Sequence, residues 1–550
     1  EEALADYTKG NTVQAKVLGV DVEKERISLG IKQLTKSYGV LISTILAKRY
    51  LTGLAALVVF AATAYLATVV PTGFVPAEDQ GYVFVDVQLP DAASINRTEV
   101  VMDKISKIIA ADPAVVDVIT VAGSSLLAGP ASNNGLSIVI LKDWEDRTEP
   151  ELSLQHVIPR LTNELWKLPD AQIMVFNPPP IPGLGNSSGF EFRLQDTEGR
   201  EPALMAQAMN GLIYEANQHP DLNRVFSTFR ANVPQYQLEI DRNKVKSQGV
   251  ELSDVFLTLQ AQLGSLYIND FNQFGRTYRV MIQADSEFRK SPEDLRHYFV
   301  KNNLNDMVPL STLGTMRPIL GPTSINHFNL YRSASITGQA AVGRSSGEAI
   351  DAMVELSAGL PAGFVFDWAG QTRQEISAGD LAPILMLLAI VFVYLFLVAQ
   401  YESWMIPFAV IGAVPLSMFG AFSVLYVIGL ANNIYAQVGL VLLIGLSTKT
   451  AILIVEFAVE LRKDGQSILE AATNAAQLRF RAVLMTAFSF LLGVLPLVLA
   501  TGAGASSRVS LGVTVFSGML AATILGTILI PIFFSLVQGM IERTTSEKPS

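Results

Sequence analysis

The stretch Gly439–Phe457, GLVLLIGLSTKTAILIVEF, decides how the rest of this chain is interpreted. It is apolar over a length that crosses a bilayer as a helix, yet it carries Lys449 near its middle and Glu456 near one end. A lysine at membrane depth costs at least about 2.5 kcal/mol, so we interpret Lys449 as a functional residue. The alternative is a lysine that extends its amine to the membrane surface. Apolar residues on both sides of Lys449 argue against it.

The composition places the chain among membrane proteins with a substantial polar part. Half of the 550 residues are hydrophobic and 16% are charged, against about a quarter in soluble domains. The formal net charge is −10, so nothing global indicates a nucleic-acid partner. The chain has no cysteine, which excludes disulfides, thiolate zinc sites and cysteine nucleophiles. Its four histidines form no ligand motif, and we expect neither a metal nor a cofactor.

Six apolar stretches are long enough to span a membrane: Leu51–Val70, Leu381–Ala399, Met405–Ile428, Ile434–Ala458, Ala482–Ala500 and Leu511–Val537. A long loop, Pro71–Gly379, separates the first from the second. With the amino end in the cytoplasm, almost all flanking lysines and arginines fall inside, and Arg508 alone lies in a short outer loop. The positive-inside rule therefore predicts cytoplasmic termini and a large periplasmic loop in a bacterial inner membrane.

Strand-like and helix-like patterns alternate within the large loop. Tyr82–Leu89 alternates apolar and polar residues, Glu99–Ala111 has helical spacing, and Val115–Val121 is strand-like again. The theme recurs further on, with Gln235–Ile240 as one of the later strands. These patterns predict small α+β subdomains with helices on one face of each sheet. The proline-rich stretch Phe176–Gly189 is typical of a connector.

Residues 1–34 differ in pattern from the rest of the chain. The stretch VQAKVLGVDVEKERISLGIKQL predicts two short half-buried strands joined by the charged turn Glu23–Arg26. It resembles the last third of the S-one RNA-binding repeat of bacterial ribosomal proteins, an OB-fold. Because a third of a barrel cannot bury a core, we expect a chimeric or misassembled amino end. A genuine regulatory fusion is the alternative.

Six motifs carry a resemblance for most of the chain: PTGFVPAEDQG (Pro71–Gly81), LKDWEDR (Leu141–Arg147), GFEFRL (Gly189–Leu194), YESW (Tyr401–Trp404), GLSTKTAILIVEFA (Gly445–Ala458) and LRFRAVLMT (Leu478–Thr486). From about Lys36 to Glu542 the chain resembles the carboxy-terminal half of the resistance-nodulation-division (RND) exporters, in their hydrophobe/amphiphile efflux branch. The implied fold is an α-helical membrane bundle of six spans plus an α+β periplasmic loop of ferredoxin-like subdomains.

The resemblance also implies a domain division and a function. The chain begins with a partial OB-fold-like fragment at 1–34, followed by a pre-span helix and the first span at 35–70. The large loop is divided into a first porter subdomain at 71–188 and a second at 189–379, which contains a docking insert at about 244–323. A five-span bundle at 380–538 and a cytoplasmic tail at 539–550 complete the chain. The implied activity is proton-driven export of hydrophobic or amphiphilic compounds by a secondary active transporter, a proton antiporter and not an enzyme. The family works as a homotrimer with a periplasmic adaptor and an outer-membrane channel. The expected contacts are small apolar or amphiphilic substrates and membrane lipid, with no nucleic acid.

Lys449, Arg479 and Thr486 match the family's proton-relay residues. In the family these residues interact with a pair of aspartates that belongs to the amino-terminal repeat, and the present sequence does not contain that repeat. We therefore expect a buried, unpaired Lys449 and a need for a partner that supplies the missing repeat. Arg479 also satisfies the positive-inside rule by itself, so its role stays open at this point.

The family's substrate region corresponds to a switch loop at Gly123–Gly129. The matching pocket positions are Ile119, Ser124, Leu126 and Ile138, which predict an apolar pocket that is poor in aromatic residues. Phe190 and Phe192 keep aromatic character at the outer cleft, although core packing is an equal interpretation for two phenylalanines that alternate on a strand.

Two other functions remain open. One is a half-size member of the same superfamily that resembles the protein-export accessory subunits, and the other is a membrane-tethered RNA-binding protein that uses Glu1–Leu34. The LKDWEDR and YESW motifs favour drug efflux. The net charge of −10 argues against RNA binding. In the last span, the small residues Gly518, Ala522 and Gly526 are expected to face another helix.

Overall fold

The computed structural model describes the backbone of residues 27–546 and, except at 27–36, 380 and 544–546, their side chains. This part of the chain forms a helical bundle and a large α+β region inserted into it. It contains six helical spans that are long and apolar enough to cross a membrane, as the sequence predicts, and one of them, Pro407–Ile428, consists of two consecutive helices.

The described part begins with α1 (Ile27–Ala47), which leads into the first spanning helix, α2 (Arg49–Val69). The second strand predicted for the amino-terminal stretch falls inside α1, so that prediction is wrong from Ile27 onward. The first predicted strand and the turn at Glu23–Arg26 lie outside the described residues.

The helix forms because α1 has an apolar stripe at helical spacing. Tyr38, Ile42 and Leu46 lie one turn apart and are buried against the bundle. The Tyr38 ring stacks on Phe480 at 4.1 Å between centroids, and its hydroxyl donates to the carbonyl of Thr527 at 2.6 Å. These contacts fix α1 on the bundle.

The first subdomain is a four-stranded antiparallel sheet in the order β2-β3-β1-β4, covered on one face by two helices. Its elements are β1 (Tyr82–Gln88), α3 (Ile95–Ala110), β2 (Val115–Ala122), β3 (Asn134–Leu141), α4 (Leu154–Leu165) and β4 (Gln172–Phe176). Alternation in β1 places Val83, Val85 and Val87 on the covered face, where they pack against the two helices and are fully buried.

The second subdomain begins with β5 (Phe190–Asp196), α5 (Pro202–Ala216) and β6 (Leu222–Phe226). An insert then interrupts it. Its elements are β7 (Val233–Ile240), α6 (Arg242–Ser247), α7 (Leu252–Leu259), β8 (Leu266–Gln273), β9 (Arg276–Ile282), β10 (Phe299–Lys301), β11 (Met307–Pro309), α8 (Leu310–Leu313) and β12 (Gly314–Gly321).

The second subdomain resumes with β13 (Asn326–Phe328), β14 (Tyr331–Ala340), α9 (Ser346–Ser357) and β15 (Phe364–Trp368). Its sheet has the order β13-β14-β5-β15, with β6 also paired to β14. The strand predicted at Gln235–Ile240 does not join this sheet, because β7 pairs instead with β12 in the insert. Alternation predicts a strand but does not say which partner it takes.

The bundle is completed by α10 (Gly370–Tyr401), α11 (Pro407–Ile411), α12 (Ala413–Ile428), α13 (Ile434–Lys463), α14 (Ile468–Val498) and α15 (Ala505–Ser546). The spans that contain α12, α13 and α15 form its buried centre, whereas α2, α10 and α14 are exposed along most of their apolar length.

Small residues allow close contact between the central helices. Gly518 of α15 faces α13, because a β-carbon there would overlap the Leu443 side chain. At Gly420 of α12, a β-carbon would overlap that of Ala521. Ala522 is 2% exposed, so the prediction that the ladder in the last span faces other helices is confirmed there and at Gly518.

Candidate functional site

Lys449 lies on the outer surface of the bundle and is exposed. It lines a groove of about 500 Å³ between α10 and α13, whose walls include Phe392, Phe396 and Thr448. No acidic residue is among the described residues that line this groove. The expectation of a buried Lys449 is therefore wrong for this chain. The buried face of α13 is instead the one that carries Ser447 and Thr448. The sequence does not indicate which face of α13 is buried, because the helix is apolar almost all round.

Arg479 and Thr486 both lie on α14. The guanidinium of Arg479 sits 3.4 Å from the ring centroid of Phe457, which belongs to α13. Its Nε is buried with no hydrogen-bond partner among the described residues. Thr486 is exposed, and its hydroxyl donates to the carbonyls of Ala482 and Val483 at 3.1 and 3.0 Å. Arg479 thus contacts α13, and Thr486 bonds to the backbone of its own helix, α14.

The amino end of α13 is tied to the linker segment, Pro71–Gly81, which joins α2 to the large loop. Backbone hydrogen bonds of 2.8 and 2.9 Å connect this segment to Asn432 and Ile434. The side chain of Asn433 caps α13 and also accepts a hydrogen bond of 2.8 Å from Ser510 of α15. One junction therefore holds the linker segment and the ends of two central helices together.

The carboxylate of Glu78 in the linker segment caps α15. It accepts hydrogen bonds from the amides of Ser506 and Ser507, at 3.2 and 2.7 Å, and from the hydroxyl of Ser507. Glu78 is buried, and its negative charge faces the positive end of a long helix. The side-chain amide of Asn177, just after β4, donates to the backbone carbonyl of Glu78 at 2.9 Å. The cap therefore connects the bundle to the first subdomain.

Asp79, the next residue, fixes the linker segment to the first subdomain. Its two carboxylate oxygens accept from the guanidinium of Arg147 at 2.9 and 3.2 Å. The Arg147 side chain is only 2% exposed, and its Nε donates to the carbonyl of Lys142 at 2.6 Å. Such bidentate pairs are geometrically specific, so the linker segment and the LKDWEDR motif hold one fixed arrangement.

A cleft of about 730 Å³ lies between the two subdomains. One wall is formed by the cleft loop, Gly123–Gly129, through its residues from Leu126 onward. Four phenylalanines and four charged side chains also line the cleft: Phe190, Phe226, Phe229, Phe328, Asp91, Glu191, Arg193 and Arg230. The cleft is thus both polar and aromatic. The apolar pocket that the sequence predicts around Ile119 and Ile138 is a different surface and stays a prediction.

The structure separates the predicted substrate residues into different surroundings. Leu126, Gly129 and Phe190 line the cleft. Phe192 is fully buried in the core of the second subdomain, stacked on Phe366 at 4.9 Å and edge-on to Trp368 at 5.2 Å. For Phe192 the structure therefore shows core packing.

Ile119 and Ile138 lie opposite each other on β2 and β3. The same row continues across the sheet through Phe84 and Phe176. It lies on the face that the helices leave uncovered, and Ile119 is 48% exposed. Neither isoleucine is among the residues that line the cleft, and the same holds for Ser124 and Gly123 at the start of the cleft loop.

A second space, the side cavity, has a volume of about 350 Å³ and is mostly apolar. Its lining includes Trp166, Met174, Phe176 and Phe226. None of these four residues is predicted from the sequence as a substrate residue. Alternation in β4 is the signal for them, because Ile173 and Val175 fill the core and the alternate residues Met174 and Phe176 lie on the other face of the sheet.

A buried carboxylate holds the cleft loop. Asp86 on β1 is 1% exposed, and its Oδ2 accepts from the Ser125 hydroxyl at 2.7 Å and from the Leu126 amide at 3.0 Å. Burial raises the pKa of the Asp86 carboxyl, and these hydrogen bonds only partly offset the rise. No sequence pattern indicates this contact, because Asp86 and Ser125 lie far apart in the chain.

Comparison with known proteins connects these features to a family. The sequence model of the AcrB/AcrD/AcrF family matches residues 24–538. The toluene efflux pump membrane transporter TtgB of Pseudomonas putida (strain DOT-T1E) is 38% identical over 481 residues, covering 87% of this chain and 46% of the relative. The multidrug export protein AcrF of Escherichia coli (strain K12) is 40% identical over 472 residues, covering 85% and 46%. The chain spans about half the length of the curated relatives it matches.

Proposed function

This chain belongs to the AcrB/AcrD/AcrF family, and from that premise we propose that it is the carboxy-terminal half of a proton-driven exporter of hydrophobic or amphiphilic compounds. The names of its relatives, a toluene efflux pump and a multidrug export protein, support this class of substrate. It is a secondary active transporter, and the energy for export comes from the proton gradient.

The observation that carries the proposal is the exposed groove at Lys449. A charged amine on an apolar helix is unfavourable in lipid unless another protein surface covers it. The described residues of the groove offer no acid, so we expect the pairing carboxylates to come from outside the groove. From the resemblance to the RND exporters, we infer that these carboxylates are the paired aspartates of the amino-terminal repeat. Protonation of the aspartates releases the lysine, which gives α13 two positions.

The linker segment passes this movement to the substrate region. The amino end of α13 is bonded to the linker segment at Asn432 and Ile434, and the segment is bonded to the first subdomain through Asp79 and Arg147. A shift of α13 therefore moves the first subdomain, including the cleft loop. Arg479 and Thr486, both on α14, complete the relay, and Arg479 contacts Phe457 of α13.

The cleft and the side cavity form the substrate route. Phe226 lines both spaces, and its aromatic face suits flat apolar compounds. The charged groups of the cleft favour compounds that also have a polar end, which is a property of amphiphilic substrates. Ile119 and Ile138 lie on the exposed sheet face, where the missing repeat completes the pocket.

The assembly is a homotrimer in the bacterial inner membrane, with the large loop in the periplasm and both termini in the cytoplasm. A periplasmic adaptor and an outer-membrane channel extend it. The hairpin β8–β9 of the insert offers a surface for contacts with other proteins of this assembly. Its large apolar side chains are exposed, with Phe274 at 87% and Met281 at 50%.

Dye binding to the full chain in detergent tests the substrate route. Phe226→Ala removes one aromatic face from the cleft and the side cavity, and we expect affinity for a hydrophobic fluorescent dye to fall by about fivefold to tenfold. Tyr214→Ala is the matched control, because Tyr214 lies on α5 and is 71% exposed. Equal affinities for the two variants, with unchanged circular dichroism, would remove the cleft from the proposal.

A further inference from the structure

We propose that Asp86 is the positioning residue of the cleft loop, and that its protonation decides how firmly this loop is held against the first subdomain. The inference rests on the proposed function only in taking the cleft as the substrate site. The hydrogen bonds themselves belong to the fold.

The carboxylate of Asp86 organises the first turn of the cleft loop through the Ser125 hydroxyl. That hydroxyl donates to Asp86 at 2.7 Å and accepts from the amides of Leu127 and Ala128 at 3.1 and 2.8 Å. The Leu126 amide binds the same carboxylate oxygen at 3.0 Å. Three consecutive amides of the loop therefore depend, directly or through one hydroxyl, on a single carboxylate oxygen.

The cleft loop in turn touches the opposite side of the cleft. The carbonyl of Leu126 accepts from the side-chain amide of Asn186 at 2.9 Å, and that of Leu127 accepts from the Thr228 hydroxyl at 3.4 Å. Asn186 lies in the connector between the subdomains, and Thr228 follows β6 of the second one. The position of the loop therefore sets how the two walls of the cleft meet.

Uncharged groups face Asp86 from the elements around it. Leu136 of β3 and Met174 of β4 lie directly opposite in the sheet, and Ser125 faces it from the loop. The charged side chains that line the cleft are paired with one another: Arg230 with Asp91 at 3.2 Å, and Arg193 with Glu191. No charged side chain among these neighbours acts on Asp86, so burial and hydrogen bonding set the direction of its pKa shift.

The direction of the effect follows from burial. With the loop closed, burial is the largest influence on Asp86 and raises its pKa. With the loop open, the carboxyl meets water and its pKa returns to the ordinary range. The closed loop thus binds the proton more tightly and gains stability as pH falls through the raised pKa. A protonated carboxyl keeps Oδ2 as an acceptor for Ser125 and Leu126, so the hydrogen bonds persist.

Hydrogen exchange of the full chain in detergent, between pH 4 and pH 8, tests the inference. Exchange is followed by mass spectrometry in peptides that contain 123–129 and is corrected for the intrinsic pH dependence. We expect wild-type protection of the loop amides to rise as the pH falls through this range.

Two substitutions at one position separate positioning from general stability. Asp86→Asn is neutral and still accepts both hydrogen bonds, so protection is high at every pH. Asp86→Leu removes the acceptor, so protection is low at every pH. Asp117→Asn, an exposed carboxylate on β2 of the same sheet, is the control and keeps the wild-type response. A wild-type pH response in Asp86→Asn, or wild-type protection in Asp86→Leu, overturns the inference.

A second variant covers the case in which Asp86→Leu does not fold. Ser125→Ala leaves the carboxylate in place, and we expect it to remove protection from the amides of Leu127 and Ala128. Retained protection there contradicts the inference. Because exchange is measured without substrate, its result is independent of whether dye binds in the cleft.

Discussion

Replacing Glu78 by alanine tests how the linker segment is joined to the bundle. The substitution removes a buried carboxylate that accepts three hydrogen bonds from the first turn of α15. Two backbone amides and one hydroxyl then lose their partner in a place where Glu78 itself is only 9% exposed. We expect the full chain to lose stability and the start of α15 to fray.

The magnitude follows from the helix cap and from the charge. Loss of a helix cap costs about 0.5–2 kcal/mol, and a hydrogen bond to a charged group contributes about 1.5–3 kcal/mol. These contributions overlap, so we expect about 2–3 kcal/mol for Glu78→Ala. Glu78→Gln keeps one oxygen acceptor but loses the charge at the helix end, and we expect about 1 kcal/mol.

Unfolding of the full chain in detergent by a denaturant, followed by circular dichroism, measures these differences. Glu145→Ala is the control, because Glu145 is an exposed glutamate in the nearby LKDWEDR motif. It should change the free energy of unfolding by less than about 0.5 kcal/mol. If Glu78→Ala and Glu145→Ala unfold alike, Glu78 is not the cap that we describe.

Two further substitutions test the bundle and the second subdomain. Ala522→Trp should destabilise the chain in detergent by about 1–3 kcal/mol, because Ala522 is buried between helices. Leu520→Trp is the control and should not destabilise the chain, because Leu520 is 40% exposed. Equal melting temperatures for the two variants would contradict this prediction. Phe192→Ala should lower the free energy of unfolding by about 3–5 kcal/mol because it leaves a cavity in the core, and Phe226→Ala should lower it by less. If Phe192→Ala melts at or above the melting temperature of Phe226→Ala, Phe192 is not a core residue.

Much of the architecture could be predicted because its signals are local. The six spans follow from uninterrupted apolar stretches, and β1 follows from alternation between Tyr82 and Leu89. The family resemblance pointed to Lys449 and to the cleft loop from short motifs. Each of these signals lies within one element of the chain.

The remainder depends on contacts between distant residues. Glu78 and Ser506 are 428 positions apart, and no local pattern joins them. The partner of β7 is β12, on the far side of the insert, so its strand was predicted but its sheet was not. The exposed face of α13 could not be predicted either, because the helix is apolar almost all round near Lys449.

Transport in proteoliposomes with an imposed proton gradient tests the central claim most directly. The purified chain is compared with the same chain reconstituted together with an amino-terminal repeat that carries the paired aspartates. Lys449→Ala is measured in that complex, with Lys463→Ala, an exposed lysine in the last turn of α13, as the control. We predict no proton-coupled export by the chain alone, export by the complex and by its Lys463→Ala variant, and none by its Lys449→Ala variant although the complex still assembles. Export by the chain alone at the rate of the complex, or a fully active Lys449→Ala complex, would contradict the account.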